Sequence, residues 1–155
     1  MIELLDNAEM AEADRLAIAG GVAGIELMER AGQAVADAVA ARHRAGSRVV
    51  VVAGPGNNGG DGFVAARLLA RRGYAVLIML LGEAWRLRGD AAIAARKWTG
   101  AVEAADPAKL DGAEVVIDAL FGAGLDRPVE GIARAMIDGF VGEQRTAAGH
   151  SPSAR

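Results

Sequence analysis

The hydrophobic residues of this chain follow two patterns, and each predicts a different kind of element. In the first 44 residues they recur every three or four positions, which is the period of an amphipathic helix. The pattern predicts one helix capped at Asn7 and ending at Gly20, then a second helix over residues 24–44. The second helix is expected to bury one stripe of its surface, made of Leu27, Ala31, Ala34, Val35, Ala38 and Val39.

From residue 48 onward, continuous apolar runs alternate with helical patterns. VVVVAG and EVVIDALFG contain no alternation of apolar and polar residues, as expected of parallel strands that are covered on both faces. YAVLIMLLG and a short segment near Val102 provide two more strands, and helical patterns separate the four. The sequence therefore predicts an α/β fold, a Rossmann-like doubly wound parallel sheet in three αβα layers.

The pattern changes near the end of the chain. Residues 129–140 are predicted to form a last helix, whereas residues 141–155 have no apolar period and are rich in Gly, Ser, Pro and Arg. We therefore expect one domain over residues 1–140 and a disordered tail over residues 141–155. No apolar run approaches the roughly 20 residues that a membrane span needs, and the first residues do not resemble a signal peptide.

Composition excludes several classes of function. The 17 basic residues are scattered among 20 acidic ones, and there are only three Phe, two Trp and one Tyr, so neither a basic patch nor a stacking surface for nucleic acid is expected. Both tryptophans, Trp85 and Trp98, are interpreted as packing residues. The absence of cysteine excludes disulfides and thiolate chemistry and fits a cytoplasmic protein.

The loop after the first strong strand carries the first candidate chemistry. GPGNNG, residues 54–59, matches the pattern G-x-G-x-x-G between a strand and a helix. Glycines let the backbone approach a pyrophosphate, and the helix N-terminus favours negative charge, so phosphate binding is predicted here. A nicotinamide-dependent dehydrogenase would also place an acid near the end of the second strand, where Glu83 stands.

The polar residues of the same loop need a separate explanation. Asp61 repels phosphate unless it binds a cation, holds a hydroxyl group or caps the helix. Asn57 and Asn58 add amide oxygens, which together with carboxylates suit a hard cation or a polar ligand. Asp118 ends the other strong strand, and ligands of such sheets bind at the carboxyl ends of strands. The alternative for Asp118 is a buried carboxylate that accepts hydrogen bonds from a neighbouring loop.

Three segments together resemble a known family. GIELMERAGQAV, VVVVAGPGNNGGDGFVAARLL and VVIDALFGAGLDRPVEG look like the NAD(P)H-hydrate epimerases, and the resemblance covers about residues 7–139. It implies interconversion of the R and S forms of hydrated NADH or NADPH, with a functional link to an ADP- or ATP-dependent hydrate dehydratase. A homodimer through the first two helices is considered as well.

The resemblance also implies roles for individual residues. Asn58 and Asp118 would ligate one potassium ion per subunit, and Asp61 and Asp118 are the candidate catalytic acid and base. Asp126 and Arg127 could instead form an exposed salt bridge. The residues expected to bind the substrate are Asn57, Asn58, Gly59, Gly60, Asp61, Gly122, Ala123, Gly124, Leu125, Asp126, Arg127 and Pro128.

The end of the chain departs from the family pattern. After the last predicted helix we find no apolar strand that ends in an Asp and a Pro-Ser-Gly turn. We therefore expect a chain that lacks the last strands of the sheet, with the strand of Asp118 left at an edge that favours self-association. Two alternatives to an impaired epimerase stay open: a dehydrogenase fragment and a non-catalytic dinucleotide-binding module.

Overall fold

The elements follow the order that the sequence pattern predicts. The computed structural model describes residues 6–122, 125 and 128–148, and the side chains of all of these except residues 7 and 141–148. Two short 3₁₀ turns, Ala84–Arg86 and Pro107–Leu110, connect the larger elements. The larger elements are α1 (Asn7–Ala19), α2 (Gly24–Ala40), β1 (Arg48–Ala53), α3 (Asn57–Arg71), β2 (Ala75–Leu80), α4 (Gly89–Arg96), β3 (Val102–Ala104), β4 (Val115–Ala119) and α5 (Gly131–Ala148).

The strands form one parallel sheet in the order β3-β2-β1-β4. Strand β1 lies between β2 and β4, and its residues 49–53 are fully buried, which explains why all five of them are apolar. In the register of β1 and β4, Val52 pairs with Asp118. After β1 the chain forms β2 on one side of this strand, and it later forms β4 on the other side. The crevice at the carboxyl ends of β1 and β4 is therefore the topological switch point.

Helices cover both faces of the sheet. Val49 and Val51 pack with residues of α2, α3 and α4, whereas Val50 and Val52 pack with α5 and the second 3₁₀ turn. Alternate side chains of a strand point to opposite faces, so β1 contributes to both cores. The predicted three-layer αβα arrangement of a parallel sheet is confirmed.

Two details of the first helices differ from the prediction. Helix α1 is capped by Asp6, whose carboxylate accepts from the backbone N–H groups of Ala8 and Glu9. The predicted cap, Asn7, is the first residue of the helix instead. A capping box explains this choice, because Glu9 lies three residues after Asp6 and its carboxylate accepts from the Asp6 backbone N–H.

The buried stripe of α2 matches the prediction at Val39 but otherwise lies one position away from it. Met28, Gly32, Ala36 and Val39 are buried, whereas the predicted Ala31, Ala34 and Ala38 are exposed. The reason is close packing on α3: a Cβ atom at position 32 would lie 2.5 Å from the Val64 Cβ. The glycine, not the alanines, sets the contact face.

The two tryptophans have different environments. Trp98 packs beside the core below α4, and its indole N–H donates to the Ala101 carbonyl at 3.1 Å, so the packing prediction is confirmed for this residue. Trp85 is 67% exposed, and for this residue the packing prediction is wrong. Its position in a short turn after β2 gives it no core to pack against.

The C-terminal part of the described chain is more helical than predicted. Helix α5 continues to Ala148, eight residues beyond the predicted boundary at Phe140, and residues 149–155 of the predicted tail lie outside the described residues. Strand β4 pairs only with β1 among the described strands. In the described part of the chain, no helix combines the length and hydropathy needed to cross a lipid bilayer.

Gly54 supports a stability prediction, because it is the point where β1 meets the end of β4. A Cβ atom on Gly54 would collide with the backbone carbonyl of Leu120, whereas one on Gly56 would meet nothing within 4 Å. We expect Gly54→Ala to lower the free energy of unfolding by at least about 2 kcal/mol, because backbone must move to admit the methyl group. Urea unfolding followed by circular dichroism measures this change.

Gly56→Ala is the matched control. Its cost should stay below about 1 kcal/mol, which is the difference between Gly and Ala at a helix N-cap. Equal losses in the two variants would show that the strand ends are not as close as described.

Candidate functional site

The connection between β1 and α3 presents, at a helix N-terminus, backbone amides that have no acceptor within the helix. Gly56 is the N-cap and has no capping side chain, and the first helical backbone bond runs from the Gly60 N–H to the Gly56 carbonyl at 3.2 Å. The N–H groups of residues 57–59 therefore have no intrahelical acceptor. They point out of the positive end of a 15-residue helix, an arrangement that favours phosphate or another anion.

The side chain of Asn58 connects this helix to the end of β4. Its amide Nδ2 donates to the Phe121 carbonyl at 3.0 Å, and Asn58 is half-buried. This hydrogen bond uses the amide nitrogen, so the Oδ1 oxygen of Asn58 is the end that is left to accept from a ligand or to bind a cation. The two sequence motifs thus form one site.

Asp118 lies at the exposed edge of the sheet and not in its core. It is exposed, and its Oδ1 accepts from the Leu120 backbone N–H at 3.1 Å. The alternative of a buried Asp118 held by a neighbouring loop is therefore wrong: the partner is two residues further along its own segment. Strand β4 has no described neighbour on this side, which explains the exposure.

Asp61 lies on the second turn of α3 and is half-buried. Burial of the carboxyl group, with a smaller effect of the nearby Asp14 carboxylate on α1, raises the pKa of Asp61 to about 6. The alternative in which Asp61 caps its helix is wrong, because Gly56 occupies the cap position. Asp61 is instead a carboxyl group that exchanges a proton close to neutral pH.

A small cavity of about 90 Å³ brings the three polar side chains together. Asn58, Asp61 and Asp118 line it on the polar side, and α2 closes the other side with apolar residues. Hard cations are bound by amide and carboxylate oxygens, so the side chains of Asn58 and Asp118 are suitable ligands for such an ion. Among the described residues, no group of three or more His, Cys, Asp or Glu side chains has the arrangement of a metal site. The remaining lining residues are Ala31, Val35, Gly62, Ile117 and Ala119.

A larger cavity of about 340 Å³ lies at the carboxyl ends of β1, β2 and β4. Two of its lining residues, Leu125 and Pro128, are among the substrate contacts expected from the sequence. The others were not expected, although Leu81 directly follows β2 and Phe121 is the second residue after β4. The missed lining residues are Pro55, Leu81, Phe121, Val129, Glu130, Ile132 and Ala133.

The other predicted site residues fall into three groups. Asn57 is exposed at the start of α3, and Gly122 lies beside Asn58. Gly59 and Gly60 are buried, and a Cβ on Gly60 would lie 2.5 Å from the Met28 sulfur, so Gly60 serves the packing of α2 on α3. The remaining four lie outside the described residues: Ala123, Gly124, Asp126 and Arg127.

Comparison with known proteins identifies the family. The family model described as the YjeF-related protein N-terminus matches residues 24–147. The chain belongs to this family. Members with curated names include an NAD(P)H-hydrate epimerase of Rhodobacter capsulatus, 47% identical over 147 residues, an alignment that covers 84% of this chain and 67% of that protein. The resemblance found in the sequence motifs is therefore confirmed.

Other members of the family differ in length. An NAD(P)H-hydrate epimerase of Bordetella pertussis is 47% identical over 116 residues, which cover 74% of this chain and 51% of that protein. A bifunctional NAD(P)H-hydrate repair enzyme Nnr of Coxiella burnetii is 40% identical over 84% of this chain and 27% of its own length. The chain thus spans about half to two thirds of the monofunctional relatives.

A solved structure supports the fold assignment. The crystal structure of yeast ynu0 superposes with a TM-score of 0.77 at 26% identity, covering 93% of this chain and 67% of the yeast chain. The parallel α/β architecture described above is therefore shared by a family member that differs in three quarters of its aligned residues.

The raised pKa of Asp61 leads to a prediction about stability and pH. The folded chain binds this proton more tightly than the unfolded chain, so Asp61 opposes folding above about pH 6 and ceases to do so as the pH falls toward 4. We expect Asp61→Asn to raise the free energy of unfolding by about 2 kcal/mol near pH 7.5 and by almost nothing near pH 4. Urea unfolding of parent and variant at the two pH values measures this difference.

The control is Asp111→Asn, a change of an exposed aspartate in the loop before β4, which should alter stability little. An Asp61→Asn variant that is less stable than the parent near pH 7.5 would contradict the described burial of the carboxyl group.

Proposed function

We propose that this protein is an NAD(P)H-hydrate epimerase, which interconverts the R and S forms of hydrated NADH and NADPH in nicotinamide nucleotide repair. The observation that carries the proposal is the hydrogen bond between Asn58 and the Phe121 carbonyl, which holds the β1–α3 loop against the end of β4. It joins an anion-binding helix end, two carboxyl groups and an apolar cavity into one site. Relatives named as epimerases support the proposal.

Each part of the site suits one part of the substrate. The N–H groups of residues 57–59 would bind the pyrophosphate, since they lack intrahelical acceptors. The hydrated nicotinamide ring would lie at the mouth of the smaller cavity, within reach of Asp61 and Asp118, and the larger cavity lined by Pro55, Leu81 and Phe121 would hold another part of the dinucleotide. Gly122, together with the segment that continues to Pro128, would contact the substrate from the side of β4.

Epimerisation at the hydrated carbon requires proton transfer in both directions. Whether the ring loses and regains its hydroxyl group or opens and closes, one group must donate a proton and another must accept one. Asp61, whose pKa is raised to about 6, is protonated in part of the molecules near neutral pH and suits the acid. Asp118 is the exposed carboxylate on the same cavity and suits the base.

We also propose that Asn58 and Asp118 hold one potassium ion per subunit. Asn58 would contribute the Oδ1 oxygen that its hydrogen bond to Phe121 leaves available, and Asp118 a carboxylate oxygen. A bound potassium ion offsets negative charge and orients oxygen groups, without the strong polarising effect of a divalent metal. The ion would thereby reduce the repulsion between Asp118, Asp61 and the substrate phosphates.

The remaining expectations concern partners. The bifunctional Coxiella relative supports a functional link to a hydrate dehydratase that acts on one epimer. A homodimer and a cytoplasmic location stay predictions. A non-catalytic dinucleotide-binding module is the second candidate, because the open N-terminus of α3 could bind a pyrophosphate without any catalytic group.

The activity assay follows the R to S ratio of R-enriched NADPHX by chromatography, with and without potassium and against the spontaneous rate. We expect potassium-stimulated epimerisation, a loss of at least about 100-fold in Asp118→Ala, and a similar loss in Asp61→Asn, because general acid–base catalysis contributes about 10²–10⁴-fold. Asp138→Asn on α5, whose carboxylate only pairs with Arg134 on the surface, should keep the parent rate.

Three results would count against parts of this proposal. Acceleration that persists in both site variants would place the chemistry elsewhere. Tight binding of NADP⁺ by a folded chain that never exceeds the spontaneous rate would favour the non-catalytic module. Tighter binding of intact NADH than of its hydrate would favour a dehydrogenase fragment, in which Glu83 contacts the ribose.

A further inference from the structure

The connection between β2 and α4 presents an exposed aromatic side chain that the site described above does not use. Trp85 is 67% exposed, although tryptophan is highly buried on average. The Arg86 guanidinium lies over one face of its ring, with the carbon Cζ 4.9 Å from the ring centroid. One face of the indole is thus covered by a cation and the other remains accessible.

The backbone holds this side chain in a defined place. Gly82 and Gly89 adopt positive φ values of 96° and 56° at the two ends of the connection, which only glycine adopts readily. Between them, the Arg88 guanidinium donates to the Trp85 carbonyl at 2.8 Å, and Leu87 is buried as an anchor. The exposure of Trp85 is therefore a property of a fixed turn and not of a loose loop.

The turn lies beside the candidate phosphate site. Leu81, four residues before Trp85, donates its backbone N–H to the Ala53 carbonyl at 2.8 Å and shares the larger cavity with Pro55. The β2–α4 turn and the β1–α3 loop are thus neighbours at the same edge of the sheet. In doubly wound dinucleotide-binding folds, the adenosine half extends from the phosphate loop toward the end of the second strand.

We propose that residues 83–88 form the adenosine subsite of this enzyme and that it favours the 2′-phosphorylated substrate, hydrated NADPH. This inference rests on the proposed function. The adenine ring stacks on the accessible face of Trp85, as bases do on aromatic side chains. Arg86 binds the 2′-phosphate, because a guanidinium near the end of the second strand is the group that accommodates it.

The charges of the turn decide between the two substrates. Glu83 alone would favour an unphosphorylated ribose, since an acid at this position accepts a hydrogen bond from the 2′-hydroxyl. Two arginines, Arg86 and Arg88, stand in the same six residues and give the turn a net positive charge. A phosphate dianion gains more from Arg86 than it loses to a single exposed carboxylate.

A fluorescence titration tests the subsite without any turnover. The chain has only two tryptophans, so Trp98→Phe leaves Trp85 as the one indole fluorophore. The probes are 2′,5′-ADP and 5′-AMP, which differ only in the 2′-phosphate. We expect 2′,5′-ADP to change Trp85 fluorescence saturably and to bind at least about tenfold more tightly than 5′-AMP, and we expect Arg86→Gln to remove most of that preference.

Matched variants separate this role from a structural one. Trp85→Ala should weaken 2′,5′-ADP binding by about 10- to 100-fold in calorimetry, which is the size of one base–aromatic stack, and Trp85→Phe should restore most of it. Arg96→Gln changes an exposed arginine on α4 and should alter nothing. In the epimerase assay, Trp85→Ala should raise KM for hydrated NADPH with little change in kcat, because the contact is remote from the reacting carbon.

The outcomes for the subsite and for the function are independent. If 2′,5′-ADP binds Trp85→Ala and Arg86→Gln as tightly as the parent, or does not bind detectably at all, the subsite is overturned even if the chain epimerises its substrate. Binding that depends on both residues in a chain without epimerase activity supports the subsite and overturns the proposed function. Equal KM changes for hydrated NADH and hydrated NADPH in Arg86→Gln overturn the assignment of Arg86 to the 2′-phosphate.

Discussion

One hydrogen bond, from the Asn58 side chain to the Phe121 carbonyl, unites the two halves of the candidate site. Asn58 belongs to the first turn of α3, and Phe121 follows β4, so the bond crosses the switch point of the sheet. It fixes the first turn of α3 against the segment after β4, at the end of the sheet where the helix amides lie.

Close backbone contact makes this bond geometrically accessible. Gly54 lets the end of β1 lie against Leu120, and Gly62 lets α3 lie on the sheet, where a Cβ atom would be 2.8 Å from the Ala119 Cβ. The glycine-rich sequence therefore has two roles that are easily confused. Some of its glycines, such as Gly56, lie at the open N-terminus of α3, and others, such as Gly60, serve the packing of helices around it.

Much of the fold could be predicted from periodicity because β1, β2 and β4 are built around apolar runs and helical patterns separate them. Two details of the helices could not be predicted in this way. Asp6 caps α1 because Glu9 completes a capping box, and Gly32 sets the buried face of α2 because two helices approach closely there. Both depend on contacts that no period in the sequence encodes. The lack of a second neighbour for β4 among the described strands likewise explains why Asp118 is exposed, and why the alternative of a core carboxylate is wrong.

Part of the site could be predicted from the order of the elements. The parallel topology requires the end of β1 and the end of β4 to be neighbours, so the juxtaposition of Asn58 and Asp118 follows from the order of elements. The proximity of Asp14 to Asp61 does not, because nothing in the sequence marks a contact between α1 and α3. The apolar cavity has a weak signal in Leu81 and Phe121, the residues that follow two strands.

The most direct test of one shared site is a titration of the ¹⁵N-labelled chain with ADP-ribose, followed residue by residue through amide chemical shifts. ADP-ribose carries the pyrophosphate but lacks the nicotinamide, so it reports binding without chemistry. The account predicts that the amides of Asn57, Asn58 and Gly59 shift together with that of Gly122, with one common dissociation constant. Shifts confined to one of the two segments, or different constants for the two, would contradict it.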